Sequence, residues 1–185
     1  LRYFLKTAPL ALITAFFSGN ISASFYGLAA VYAADQGFST RQVVFYTAIT
    51  VVAGLLAQWP MGWLSDRVDR AKLVRRNALI FAGITTLMWG WVNWPYWLML
   101  LFAIGLGAIQ FTLYGLASGL SNDRVQDERR VGASAVVLIV YSVGAALGPV
   151  VAGSLMRLGG PGMLYVFSCG CALMLAIMLT VVRSR

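Results

Sequence analysis

The 185-residue sequence contains no histidine, two cysteines and only six acidic residues. The lack of histidine excludes imidazole-based catalysis and His-ligated metal sites. Cys169 and Cys171 lie two residues apart in an apolar stretch, and on a helix their side chains would diverge by about 200°, too far to bind one ion in regular geometry. We therefore expect no metal site and no cofactor, and we interpret both cysteines as small packing residues.

Charged residues of either sign are also scarce, at 11% of the chain, whereas 60% of the residues are hydrophobic. This is more apolar surface than a water-soluble core of this size can hide, which indicates a lipid bilayer as the surroundings. In a soluble protein the net charge of +8 would raise the question of nucleic-acid binding. Here the basic residues lie between apolar stretches and do not form one polar face, so we expect no nucleic-acid partner.

Stretches of about 20 apolar residues, the length that crosses a hydrocarbon core, recur along the chain with short polar breaks between them. The six stretches are Ala8 to Ala33, Val43 to Leu64, Asn77 to Val92, Trp97 to Leu120, Val131 to Met156 and Gly162 to Val182. No Asp, Glu, Lys or Arg lies inside any of them. The sequence therefore predicts an all-α membrane protein in which residues 1–185 form a single bundle of six transmembrane helices.

The basic residues are distributed unequally over the predicted connections. If successive helices alternate in direction, 12 of the 14 Lys and Arg residues fall on one side, and only Arg41 and Arg157 fall on the other. Because cytoplasmic loops carry an excess of Lys and Arg, this asymmetry places both termini of the segment in the cytoplasm.

A short internal repeat is also present. The sequence Tyr-Gly-Leu-Ala occurs at residues 26–29 in the first predicted span and at residues 114–117 in the fourth. In the assigned topology the first copy lies near the outer end of its span and the second near the inner end of its span. This relation is expected of a three-plus-three inverted repeat.

Two local patterns resemble signatures of the major facilitator superfamily. The run after the second span is similar to Gly-x-Leu-x-Asp-Arg-x-Gly-Arg, although Asp69 replaces the second Gly. Its matching residues are Gly62, Leu64, Asp66, Arg67 and Arg70. The fifth span is similar to Gly-x-x-x-Gly-Pro-x-x-x-Gly, with matches at Gly144, Gly148, Pro149 and Gly153. Small residues allow helices to approach closely, and the Pro removes one backbone hydrogen bond.

Three further segments are similar to the C-terminal half of bacterial permeases of the YcaD-like type, namely residues 58–64, 111–114 and 142–149. The resemblance implies a secondary active transporter of a small solute in the bacterial inner membrane. Its partner would be a missing N-terminal six-helix half, with the solute held between the halves and access alternating. The run from Gly62 to Arg70 would act as a cytoplasmic gating latch, and Gly144 to Gly153 as a close-packed seam or hinge.

The resemblance also implies that the first and fourth helices line the substrate cavity. Polar residues on these helices are the candidates, and they are Asn20, Ser24, Tyr26, Gln110, Tyr114 and Ser118. On the fourth helix the three candidates share one face, whereas on the first helix Tyr26 lies on a different face from the other two, so one face there is structural. The alternative is that these side chains only form hydrogen bonds with neighbouring helices.

The absence of charge inside the spans favours a neutral, zwitterionic or amphipathic substrate. If transport is coupled to a proton, the titrating group lies in the missing half. Two alternatives remain: a half-size membrane protein that homodimerises, and a non-transporting membrane assembly protein. An intramembrane enzyme would need a nucleophile with a base or a metal cluster at membrane depth, and the sequence offers neither, so we expect no enzyme.

Overall fold

The computed structural model describes residues 2–89 and 95–183, and every regular element within them is a helix. The α-helices are α1 (Arg2–Thr7), α2 (Pro9–Asp35), α3 (Thr40–Ser65), α4 (Arg70–Trp89), α5 (Tyr96–Asn122), α6 (Arg130–Gly159) and α7 (Met163–Arg183). One short 3₁₀ turn, Asp127–Arg129, precedes α6. The predicted all-α class is confirmed, and α2 to α7 correspond in order to the six predicted spans.

Within the described residues, five helices are long and apolar enough to cross a membrane, namely α2, α3, α5, α6 with its preceding turn, and α7. Helix α4 does not meet this criterion because its first two turns are basic. These turns carry Arg70, Lys72, Arg75 and Arg76. Its apolar part begins at Asn77, where the third span is predicted to start, and the predicted end of that span at Val92 lies outside the described residues.

Local sequence signals set several helix ends. Helix α2 starts with Pro9, which needs no backbone donor at a first helical position. The backbone N–H of Ser39 donates to Oε1 of Gln42 at 2.9 Å, as in a capping box at the start of α3. Helix α6 ends at Gly159, and the next residue, Gly160, has a φ of 86° that glycine readily adopts.

The bundle is built around α2 and α5, which pack against each other. The most extensive contacts join α2 to α6, α3 to α5, and α4 to α7. In addition α2 contacts α7, and α5 contacts α4, whereas α3 and α6 are not packed against one another. Most of α2 is therefore buried, and most of α3 and α6 is exposed. One face of α2 and α5 stays uncovered between α3 and α6, and we call it the open face.

The two ends of the bundle are held by different interactions. We call the end at which α2 and α4 begin and α3 and α5 end the basic end. At the opposite end the Tyr32 hydroxyl donates to the Met88 carbonyl at 2.7 Å, which joins α2 to α4. There the hydroxyls of Tyr46 and Tyr165 also hydrogen-bond to each other and join α3 to α7. Since both of these tyrosines are buried, the pair fixes the relative position of helices that share little other contact.

Candidate functional site

A charged cluster at the basic end is formed by the first of the two sequence motifs. Arg70, at the start of α4, donates through Nη2 to Oδ1 of Asp66 at 2.5 Å and pairs through Nη1 with Oδ1 of Asp123. The same Nη1 donates to the Gly119 carbonyl at 3.2 Å. One guanidinium thus joins the α3–α4 connection to the end of α5.

The charge state of Arg70 follows from these contacts. Partial burial opposes the charge, but the hydrogen bonds and charges of Asp66 and Asp123 outweigh it and raise the pKa of Arg70 above its ordinary value. The guanidinium therefore stays protonated, and it links two carboxylates that would otherwise repel each other across the connection.

Asp69, which replaces the glycine of the family pattern, has a defined role in this corner. It directly precedes α4, and its Oδ1 accepts a hydrogen bond from the backbone N–H of Lys72 at 2.9 Å. This is an N-cap contact at the third helical position, and it satisfies one of the free donors at the helix start. The departure from the pattern thus gives α4 a side-chain cap.

The remaining motif residues are more exposed. Arg67 lies over the Trp63 ring, with 3.7 Å between its guanidinium carbon and the ring centroid. Within the described part of the chain, no atom of another element comes within 4 Å of a β-carbon built on Gly62. A cavity of about 580 Å³ opens beside the cluster and is lined by side chains of both signs. The charged ones are Lys6, Asp66, Asp69, Arg70, Asp123 and Arg124.

The second motif lies in the seam between α2 and α6. A β-carbon on Gly144 would be 2.2 Å from the Phe16 carbonyl oxygen, and one on Gly148 would be 2.5 Å from the Asn20 carbonyl oxygen. Both glycines therefore allow backbone-to-backbone approach. Gly153 has more room, since its β-carbon would be 4.0 Å from Leu28. Pro149 is half-buried within α6.

The candidate cavity residues occupy different environments. Asn20 and Ser24 are buried in the seam, where the Asn20 amide donates to the Phe16 carbonyl at 2.9 Å. Tyr26 is 62% exposed on the open face. Within α5, Gln110 is buried and its amide nitrogen has no partner among the described residues. Tyr114 and Ser118 are half-buried.

Tyr26 and Tyr114 belong to a larger group of rings, which we call the aromatic row and which consists of Tyr26, Phe111, Tyr114 and Tyr141. The Tyr26 and Phe111 centroids are 5.2 Å apart, and those of Tyr114 and Tyr141 are 5.0 Å apart with an edge-to-face arrangement. Phe111 and Tyr114 lie three residues apart on α5, on neighbouring turns of one helix, and so link the two ring pairs. Rings from α2, α5 and α6 therefore form one continuous surface.

Sequence reasoning missed three participants in these groups. Asp123 follows the fourth span on the same predicted side as Arg70, and this shared side is a signal that could have drawn attention to it. Phe111 lies three residues before Tyr114, a spacing that places both on neighbouring parts of α5. For Tyr141 on α6, no sequence signal points to the other rings.

The described residues contain no group of three or more His, Cys, Asp or Glu side chains that could hold a metal ion. Charged side chains are concentrated near the ends of the bundle, and the aromatic row lies away from both ends of its helices. The open face can therefore offer a ligand aromatic rings and hydroxyl groups, whereas the basic end offers paired charges.

Comparison with known proteins gives one consistent result. The family model described as Major Facilitator Superfamily matches residues 10–185. The chain is 30% identical over 176 residues to the uncharacterized MFS-type transporter YcaD of Salmonella paratyphi B, and equally to YcaD of Salmonella newport and of Salmonella heidelberg. Each match covers 95% of this chain but 44% of the relative. The chain thus spans less than half the length of these relatives.

Proposed function

The chain belongs to the major facilitator superfamily, and we propose that it is one six-helix half of a secondary active transporter that moves a small solute by alternating access. Family membership and the long apolar helices make it part of a multi-pass membrane transport protein. Because the relatives are more than twice as long, we propose that a second six-helix half precedes this one.

The observation that carries the proposal is the open face between α3 and α6. At membrane depth this face exposes Tyr26 and half-exposes Tyr114. Tyrosine is enriched at the edges of a bilayer, where its hydroxyl reaches water, and it is costly in the hydrocarbon centre without a partner. The open face is therefore better suited to a polar cavity shared with a second half than to contact with lipid.

Internal symmetry supports the three-plus-three repeat. Gly19 and Gly107 are separated by the same sequence distance as Tyr26 and Tyr114. A β-carbon on Gly19 would be 2.1 Å from the Tyr141 carbonyl oxygen, and one on Gly107 would be 1.9 Å from that of Thr50. In such a repeat, α2 corresponds to α5, α3 to α6 and α4 to α7. The contact of α2 with α6 then corresponds to the contact of α5 with α3, and the contact of α2 with α7 corresponds to the contact of α5 with α4.

The charged cluster at the basic end supports a role as a latch. Arg70 holds two connections of this half together while Asp66, at the end of α3, keeps most of its carboxylate exposed. An exposed carboxylate next to a fixed guanidinium can bind donors of a second half in one access state and release them in the other. We propose that the basic end faces the cytoplasm of a bacterial inner membrane, since most Lys and Arg residues lie there.

Alternating access can be tested without knowledge of the solute. Cys169 and Cys171 are replaced by Ala, and Ala30→Cys and Ser118→Cys are introduced singly and together in the complete product of the gene, reconstituted in vesicles. Ala30 lies one helical turn after Tyr26 on α2, and Ser118 lies one turn after Tyr114 on α5. Because the two helices run in opposite directions, the two positions are displaced towards opposite ends of the bundle. Each single variant is expected to react with an impermeant maleimide from one side of the membrane only.

In the double variant, a bulky reagent on Ala30→Cys should hold the pathway open towards its own side. It should therefore slow the labelling of Ser118→Cys from the other side. If the second labelling rate is unchanged, the two gates are independent and alternating access is wrong. If neither cysteine reacts from either side, the open face is no part of a transport pathway.

A further inference from the structure

The aromatic row offers stacking surface from three helices within the membrane-spanning part of the bundle. Its members lie well inside α2, α5 and α6, away from the helix ends. The ring pairs are spaced at 5.2 Å and 5.0 Å, within the range of favourable aromatic contacts. Phe25 extends the row into the core, with its centroid 6.3 Å from that of Phe111. The row thus packs against the core on one side, through Phe25, and is uncovered on the open face.

Two hydroxyl groups of the row, those of Tyr26 and Tyr114, are available to a ligand. Among the described residues, neither the Tyr26 nor the Tyr114 hydroxyl has a hydrogen-bond partner, although both residues lie within helices that are long and apolar enough to cross a membrane. A polar group in such a position is costly unless another group satisfies it. The row therefore fits a solute that brings its own hydrogen-bonding atom.

The charge of the solute is limited by the surroundings of the row. The described helices carry no Asp, Glu, Lys or Arg in their middle turns, and the nearest ion pairs lie at the basic end around Arg70. An ion bound against these rings would lose its hydration without gaining a counter-charge from this half. Attraction of a cation to the tyrosine faces is weaker than this loss.

From these three observations we infer that the solute of the proposed transporter is an uncharged, planar aromatic molecule with at least one hydrogen-bonding substituent, bound on the aromatic row. This inference depends on the proposed function. Tyr26 and Tyr114, at equivalent positions of the proposed repeat, would hold the two ends of the ring system. Their hydroxyls would bind its polar substituent.

The test measures binding of 2-naphthol to the complete gene product in nanodiscs, with empty nanodiscs subtracted. We expect saturable binding that Tyr26→Leu and Tyr114→Leu each weaken about fivefold or more, because each removes a ring contact. Tyr26→Phe keeps the ring and loses only the hydroxyl, so its effect should be smaller. Tyr3→Leu, at a tyrosine on α1 outside the row, should bind as the unchanged protein does.

Matched probes distinguish the class of solute. Saturated 2-decalol, anionic 2-naphthoate and cationic N-methylquinolinium should each bind more weakly than 2-naphthol. Equal or tighter binding of any of them overturns the inference, and so does an equal effect of Tyr3→Leu. If 2-naphthol does not bind while the two cysteine positions still label alternately, only the solute class is wrong. If alternate labelling is absent, the proposed function itself fails.

Discussion

Gly144 of α6 lies against the Phe16 carbonyl of α2 so closely that a β-carbon would be 2.2 Å from the oxygen. Gly144→Ala should therefore separate the two helices. The change gains about 1 kcal/mol in helix propensity, but overpacking costs about 1–3 kcal/mol, so we expect a net loss of stability. Thermal unfolding of the purified variant and the unchanged protein measures this loss of stability. Gly170→Ala should be neutral or stabilising, because a β-carbon on this exposed glycine of α7 would meet no atom of the described neighbouring residues within 4 Å.

Replacement by Ala should change stability differently at Gly148 and Gly153, the motif glycines before and after Pro149. Gly148→Ala forces a β-carbon to 2.5 Å from the Asn20 carbonyl oxygen, whereas Gly153→Ala meets only Leu28 at 4.0 Å. We expect the first variant to unfold at a lower temperature than the unchanged protein, and the second to unfold at the same or a higher temperature. Equal destabilisation by both would show that the motif limits helix packing along its whole length.

Arg70 and Asp123 should be energetically coupled. Because the carboxylate is about half exposed, we expect a coupling energy of only about 0.5–1 kcal/mol in a double-mutant cycle of Arg70→Gln and Asp123→Asn. High salt should reduce this coupling, since screening acts on partly exposed pairs. The matched control is the cycle of Arg130→Gln and Asp127→Asn, a more exposed pair at 2.7 Å whose coupling should be close to zero. Equal coupling in both cycles would contradict the assignment of Arg70 as the structural link.

The buried tyrosine pair at the opposite end predicts non-additive stability changes. Tyr46→Phe alone leaves the Tyr165 hydroxyl buried without its partner, which costs about 1–3 kcal/mol. The double change to Phe removes both hydroxyls, so the second substitution should recover part of that loss. Thermal unfolding of the two single variants and the double variant measures whether their stability losses are additive. Additive losses would mean that the hydroxyls act independently, and Tyr114→Phe is the control without a hydrogen bond.

Helix positions were largely predictable. The predicted second span, Val43 to Leu64, lies inside α3, and the fifth, Val131 to Met156, lies inside α6. Hydropathy is a property of consecutive residues, and a backbone in lipid must satisfy its own hydrogen bonds, so a long apolar run has little alternative to a helix. Helix α4 shows the limit of this argument, because its basic first turns make it less apolar than its neighbours.

Contacts between distant residues were less predictable. Asp66 and Arg70 lie four residues apart at the two ends of the short α3–α4 connection, so their proximity is local in sequence. Asp123 joins them only because α5 ends beside the start of α4. The close approach of Gly107 to Thr50 was not predicted either, since the Gly-x-x-x-Gly pattern of α5, at residues 115–119, does not include Gly107.

The sequence by itself determined the helical class, the lipid surroundings, the order of the spans and the family, because these depend on local composition and on short runs of residues. Only the tertiary structure decided which face of each helix is buried. Asn20 and Ser24 pack in the seam with α6, while Tyr26, two residues beyond Ser24 in the same helix, lies on the open face. The physical reason is that apolar residues surround a helix in a membrane, so hydropathy does not mark its inner side, and small-residue packing with neighbouring helices sets the rotation instead.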